Sequence, residues 1–316
     1  MTHRHPHRLD LVARLLLVVA IVTAVVGISA PTPSSAAVQV NGSGSTWSAI
    51  AVTQWAADVA RRGLSINYTP NGSSTGRKFY IEGDSDFAVS EIPFQPETRD
   101  RTGAVIYDEI ARASARPYAY LPIVAGGTSF MYHLVVNGQR VTNLRLSGET
   151  VTKIFTGVIT NWNDPAITAE NGRAFPSKTI KPMVRSDGSG TSAQFSAYMA
   201  SVYPDLWRAF CAKTGLTPCG QTSLYPIFDG SQAQQGSDGV SGAVASSYND
   251  GAITYVEYGY AKQKGFPVAS VRNQAGYYVQ PTAGNVAIAL TRAQIKSDRT
   301  QVLTEVYRNP DRRTYP

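Results

Sequence analysis

Cysteine is almost missing from this chain: Cys211 and Cys219 are the only two. Histidine is nearly as scarce, with four residues, and three of them (His3, His5, His7) crowd the first few positions, which leaves His133 alone in the rest. A zinc site needs three or four clustered His, Cys or acidic ligands, so a metal-dependent phosphatase or structural zinc domain is excluded, and no cofactor is expected. Charge is low at 16% of residues, and the excess of 29 basic over 22 acidic side chains is scattered and forms no Lys/Arg run. Nucleic acid is therefore not an expected partner. No internal repeat and no low-complexity linker appears.

Only one long apolar run exists, Leu15–Ala30 (LLLVVAIVTAVVGISA). Arg4, Arg8 and Arg14 precede it and the small residues of Pro31–Ala37 follow it. A charged n-region, a short apolar core and a small-residue cleavage site read as a secretory signal over residues 1–37. The alternative is an uncleaved anchor helix, but spanning takes about 20 apolar residues. No cysteine lies near the cleavage site to carry a lipid, so the protein is expected to be exported without such an anchor, into a periplasm or onto the cell surface. Loss of Arg4, Arg8, Arg14 and Asp10 with this segment lowers the formal charge from +7 to +5, an excess that favours anions. In an oxidising compartment Cys211 and Cys219 read as a structural disulfide, with two free thiols as the alternative.

The remaining residues alternate strand-like and helix-like segments, the pattern of an α/β protein large enough for two domains. Trp47, Ala51, Trp55 and Val59 recur at i+4 and predict a helix over about 45–62, followed by a strand at 64–68. A helix after Thr75 and a strand at Phe87–Ser90 come next. Tyr120–Val124 and Phe130–Val136 are apolar and β-branched enough for strands. Ser147 is placed to cap a helix whose Val151, Ile154 and Phe155 face inward. Ile180–Val184 predicts a strand, at a sheet edge or bulge because of Pro182. Further along, a helix carries Phe195, Met199 and Val202, a strand spans Ala252–Val256, and a helix lies around Asn285–Lys296.

Three Gly/Ser/Thr loops stand at or near helix starts: Asn41–Trp47 (NGSGSTW), Asn71–Gly76 (NGSSTG) and Arg185–Ser192 (RSDGSGTS). Free backbone N–H groups at a helix N-terminus, backed by the helix dipole, suit an oxyanion. Glycine lets the backbone approach the ligand, and Ser and Thr add hydroxyl donors. One such loop is an ordinary turn, whereas three in one chain are hard to dismiss. The third is the richest, since Arg185 supplies a forked cation that Asp187 can hold in place.

From about Val40 to its end, through NGSGSTW, NGSSTG, DFAVSEIP, SDGSGTS and DGAITYVEYGYAKQ, the chain resembles the phosphate-binding proteins of high-affinity phosphate ABC transporters. The resemblance implies a two-lobed type II periplasmic-binding-protein fold with inorganic phosphate in the interlobe cleft, delivery to permease subunits, and a monomer. It places Thr46, Trp47 and Ser73 at the ligand from the near lobe, where the family more often has Phe at the position of Trp47. Arg185, Ser189, Gly190 and Thr191 would reach it from the far lobe, with Asp187 in support. The family has aspartate where this chain has Glu91. That carboxylate accepts a hydrogen bond from a phosphate proton, which sulfate at neutral pH lacks. Glu91 keeps the residue class with one more methylene, and a longer arm must push the anion aside or retreat. The expected lobes are 38–136 and 137–316, and by comparison with the family the near lobe is expected to be incomplete, its C-terminal completion absent.

Two other readings compete. Gly72–Gly76 fits the G-x-S-x-G nucleophile elbow of secreted serine hydrolases, with Ser74 as nucleophile. Its only available base is His133, which lies in an apolar strand-like run and reads better as a satisfied core residue. A binder of another oxyanion on the same fold is the second.

Overall fold

The computed structural model describes residues 38–96, 98–99 and 105–316. The expected signal segment lies outside the described residues. From Gln39 onward the chain forms one compact unit.

Its first sheet has three parallel strands, β1 (Gln39–Gly44), β2 (Ser65–Thr69) and β3 (Phe87–Val89), in the order β2-β1-β3. Helices α1 (Ala49–Ala60) and α2 (Ser73–Glu82) supply the crossovers. Crossovers of this kind are what parallel neighbours require. Gly83 ends α2 in the left-handed conformation, with its N–H on the Phe79 and Tyr80 carbonyls, a common stop for a helix.

The second sheet is built from β4 (Thr128–Tyr132), β6 (Lys181–Arg185), β7 (Gln232–Gln234) and β8 (Ala252–Glu257) in the order β7-β6-β8-β4, with β4 antiparallel to β8. A smaller sheet joins β5 (Arg145–Ser147), β9 (Ser270–Arg272) and β10 (Tyr278–Val279) in the order β10-β9-β5. Helices α3 (Gly148–Phe155), α4 (Gly190–Val202), α5 (Pro204–Thr214), α6 (Gly236–Ala245), α7 (Tyr258–Lys264) and α8 (Ala283–Leu290) belong to this region, together with a short helix at Pro165–Asn171. Ser147 caps α3 by accepting the Thr150 N–H at 3.1 Å, as its position predicts.

Four expectations need correction. The run Phe130–Val136, assigned to the near lobe, instead enters the second sheet through β4 and ends in a short hairpin of Val135–Val136 with Gln139–Arg140. An apolar run says that a strand is buried but not which sheet buries it. Tyr120–Val124 forms no strand. Among the described residues no strand pairs with it, and Pro122 lacks an N–H; the segment is held by the Tyr120 hydroxyl, which accepts the Phe94 N–H, and by the edge-on contact of Tyr118 and Tyr120. Pro182 sits on an internal strand, not an edge: β8 flanks it on one side, while β7 pairs only with Met183–Arg185 and leaves the register beside Pro182 open. The last helix stops at Leu290 and gives way to a short strand at Gln294–Ile295.

Cys211 and Cys219 form the expected disulfide, with Cα atoms 5.6 Å apart, at the end of α5 in the second region. Cys211 is buried and Cys219 exposed.

Candidate functional site

Each of the three Gly/Ser/Thr loops joins a strand to a helix, and the structure brings all three together. The first runs from β1 to α1, the second from β2 to α2, the third from β6 to α4. They meet where β1 and β6 end, so the cleft lies at the carboxyl edges of parallel strands, the usual place for a ligand in open α/β sheets.

Close approach is written into the glycines. A Cβ on Gly72 would lie 2.6 Å from Asp187 Oδ2, and one on Gly188 would lie 2.5 Å from Ser74 Oγ. Gly72 also adopts φ +99°, open to glycine and strained for other residues. The second and third loops are joined directly: the Ser74 N–H donates to Gly188 O at 3.0 Å.

Arg185 is a buried cation at the start of the third loop. It is 2% exposed at the end of β6, and its Nε donates to Asp187 Oδ1 at 2.7 Å while Nη2 pairs with Asp187 Oδ2. Burial alone would raise the Asp187 carboxyl, but the Arg185 hydrogen bond and charge, with the Gly236 N–H at 2.9 Å, hold it below the usual carboxylate range. The planar fork is thereby fixed through two of its nitrogens, and Nη1 is left as the remaining donor face.

Hydroxyl groups are plentiful in the loops that meet here. Ser189 is fully buried and caps α4, accepting the Ser192 N–H at 3.1 Å. Thr191, the second residue of the same helix, is buried, and among the described residues its Oγ1 has no hydrogen-bond partner. Buried polar atoms are rarely left unpaired, so such a group points to a missing ligand atom or water. Thr46 Oγ1 lies 2.9 Å from Ser237 Oγ and accepts the Ser237 N–H at 3.1 Å, and Thr46 O accepts the Tyr260 hydroxyl at 2.5 Å. Burial pushes the Tyr260 hydroxyl up to about 12, so it stays a donor. Trp47 packs against Gly126. A cavity of about 260 Å³ opens among Thr46, Asn71, Asp187, Gly236, Ser237 and Tyr260, and the buried Asn71 Oδ1 that borders it likewise has no partner among the described residues.

Glu91 faces the hydroxyls from the loop after β3. Ser45 Oγ donates to its Oε1 at 2.5 Å, Ser73 Oγ donates to its Oε2, and a Cβ on Gly190 would overlap Oε2. Its backbone carbonyl accepts Gln194 Nε2 at 2.7 Å from α4.

Ser45, Gln194, Ser237 and Tyr260 escaped the sequence reading. Ser237 could have been found, since Gln235-Gly236-Ser237 is a fourth Gly/Ser loop at a helix start, between β7 and α6. Ser45 lies within the first motif and was passed over for Thr46.

The arrangement does not make Ser74 a nucleophile. Its hydroxyl accepts Arg77 Nη2 at 3.3 Å, while His133 follows β4 in the second sheet, with Nδ1 3.2 Å from Val244 O and its ring edge-on to Phe266. Among the described residues no His/Cys/Asp/Glu group could hold a metal ion.

The PBP superfamily domain model matches residues 30–316. The phosphate-binding protein PstS of Pasteurella multocida is 32% identical over 82% of this chain and 67% of its own length. PstS 3 of Mycobacterium tuberculosis is 33% identical over 74% of this chain, which spans only 57% of that relative. Among solved structures, an ancestral soluble variant of the human phosphate binding protein shares the fold at 20% identity, TM-score 0.58, over 82% of this chain and 70% of the other. A high-affinity periplasmic phosphate-binding protein (PfluDING) bound with phosphate does so at 22% identity, TM-score 0.56, over 79% and 68%. This chain belongs to the PBP superfamily and, within it, to the phosphate-binding proteins.

Proposed function

We propose that the protein binds inorganic phosphate outside the cytoplasm and delivers it to the permease subunits of an ABC transporter, as a monomer without a lipid anchor at its signal cleavage site. One observation carries this reading: three Ser/Thr-rich helix-initiating loops meet, one of them carries a buried guanidinium fixed by Asp187, and Thr191 Oγ1 of that loop has no partner among the described residues. Hydrogen bonds with an ionised partner are roughly twice as strong as neutral ones, and several together offset stripping water from an anion.

Thr46, Trp47 and Ser73 act from the first region and Arg185, Ser189, Gly190 and Thr191 from the second. Glu91 selects for a protonated anion, because a carboxylate beside an oxyanion is unfavourable unless a proton lies between them. Binding needs no covalent step, and the logic is that of a donor cage, not of catalysis.

Calorimetric titration of phosphate-stripped protein tests the reading. Phosphate should bind and sulfate should not; tight sulfate binding would refute the phosphate assignment. Glu91→Gln should improve the binding of sulfate relative to phosphate, because the amide can donate to an unprotonated oxygen. An unchanged preference would remove Glu91 from the selectivity argument.

A further inference from the structure

The Glu91 carboxylate stands where two helix N-termini converge. Ser73 is the first residue of α2 and Gly190 the first of α4, helices of 10 and 13 residues. Oε2 accepts the Ser73 hydroxyl and rests against Gly190 so closely that no Cβ would fit there, while Oε1 accepts the Ser45 hydroxyl. The same helix ends and the Ser73 hydroxyl are what the proposed phosphate site would use. Both dipoles favour a negative charge at this point, and the carboxylate already supplies it.

Ties across the cleft link the two regions. The Ser74 N–H reaches Gly188 O, Gln194 Nε2 reaches Glu91 O, and Thr46 meets Ser237, each within 3.0 Å. The loops are thus closed on a carboxylate of the protein itself.

Building on the phosphate reading, we propose that Glu91 is a tethered internal anion: with no ligand bound it occupies the cradle, holds the loops of both regions together, and must be displaced before an oxyanion can enter. Two negative groups cannot share these donors without a proton between them. The side chain has somewhere to go, since Glu91 is only half-buried and borders the large cavity of about 650 Å³ that also touches Trp47, Ile92 and Thr191. The longer arm of glutamate matters here, because aspartate in the same backbone position would fall short of Gly190.

The tether lowers apparent affinity by the fraction of molecules in which the cradle is free. Glu91→Asp, which keeps the proton acceptor and shortens its reach, should therefore bind phosphate about tenfold more tightly if the parent cradle is free about a tenth of the time. An Asp variant no tighter than the parent overturns the proposal. A second readout needs no ligand at all: small-angle scattering of phosphate-stripped protein should show a compact parent and a more open Glu91→Ala variant. If no variant binds phosphate, the phosphate reading fails, and scattering alone then decides the tether. Opening on Glu91→Ala upholds it, and identical profiles for parent and variant overturn it.

Discussion

The two halves of the cleft are held together by different means. From Thr128 onward the chain owns two apolar cores, one around Trp162, Trp207, Phe155 and Tyr225, the other around Met131, Met183 and Val240. Before Thr128 the buried apolar side chains are few: Ala49, Val52, Val89, Ile92, Phe94 and Ala113. Among the described residues only Ile50 from that part packs against either core. Of the expected apolar face of α1, Trp55 is 43% exposed, and Leu121, Ile123 and Val124 are also exposed. Burying a large apolar side chain contributes about 1.5–3 kcal/mol, so a region with so few has little stability of its own. What orders it instead is polar: a buried ion pair, serine hydroxyls and hydrogen bonds to the second region. One half thus rests on apolar cores of its own and the other on its polar contacts.

The largest expected effect tests that dependence. Arg77 is 3% exposed and pairs with Glu109, itself 2% exposed, through Nε at 2.7 Å and Nη2 at 3.1 Å, and its Nη1 donates to Ser90 Oγ beside Glu91. Removing one partner of a buried pair costs about 3–5 kcal/mol because the other is left charged and unpaired. Arg77→Met should therefore strip amide-exchange protection from β1–β3 while β4, β6 and β8 keep theirs. Equal loss in both sheets would break the comparison and make the molecule a single cooperative unit.

Arg185→Ala comes next and should act on the ligand. Loss of the fixed cation leaves Asp187 unpaired and should weaken phosphate by at least ~3 kcal/mol in calorimetry. The second region should stay folded, which near-ultraviolet circular dichroism of its buried tryptophans would show.

The sequence made some of this legible. The three glycine-rich loops, the Ser147 cap and the Arg185–Asp187 fork are local patterns, each set by residues within a few positions of one another, and each is found where the pattern places it. Glu91 was also placed at the site, but its hydrogen bonds to Ser45 and Ser73 and its contact with Gly190 depend on distant segments meeting. The sheet that β4 joins is equally invisible to periodicity, since Phe130 and Tyr132 would be apolar in either. Gly236 and Ser237 escaped because their loop holds no cation to draw attention to it.

A smaller effect should fall on the second region alone. The bridge between Cys211 and Cys219 closes a separation of 8 residues, and chain entropy gives such a loop about 2–3 kcal/mol. Cys211→Ser with Cys219→Ser should lower the unfolding free energy of the second region by that amount and leave phosphate affinity unchanged. A change in affinity would mean that strain in α5 reaches the site. Thr46→Ala is smaller again, on the order of 1–3 kcal/mol in phosphate affinity for one donor to a charged group.

The least effect, and the one whose sign discriminates best, is on pH. Asp187 has its folded-state value lowered, so the stability it contributes is fully present above the ordinary carboxylate range and drains away as pH falls through the depressed value. Glu257, at the end of β8, is shifted the other way: burial raises it, although it accepts the Gly259 N–H at 2.7 Å. Its contribution is therefore present at low pH and lost as pH rises through the raised value. Both carboxyls belong to the second region, so an equilibrium pH series should show their opposed slopes there. Asp187→Asn should flatten the acid limb, and Glu257→Gln should make the protein more stable at neutral pH relative to acid than the parent is. If Glu257→Gln instead lowers neutral stability, its carboxylate is serving α7 as a cap more than burial penalises it, and the polar economy assigned to the first region extends to the second.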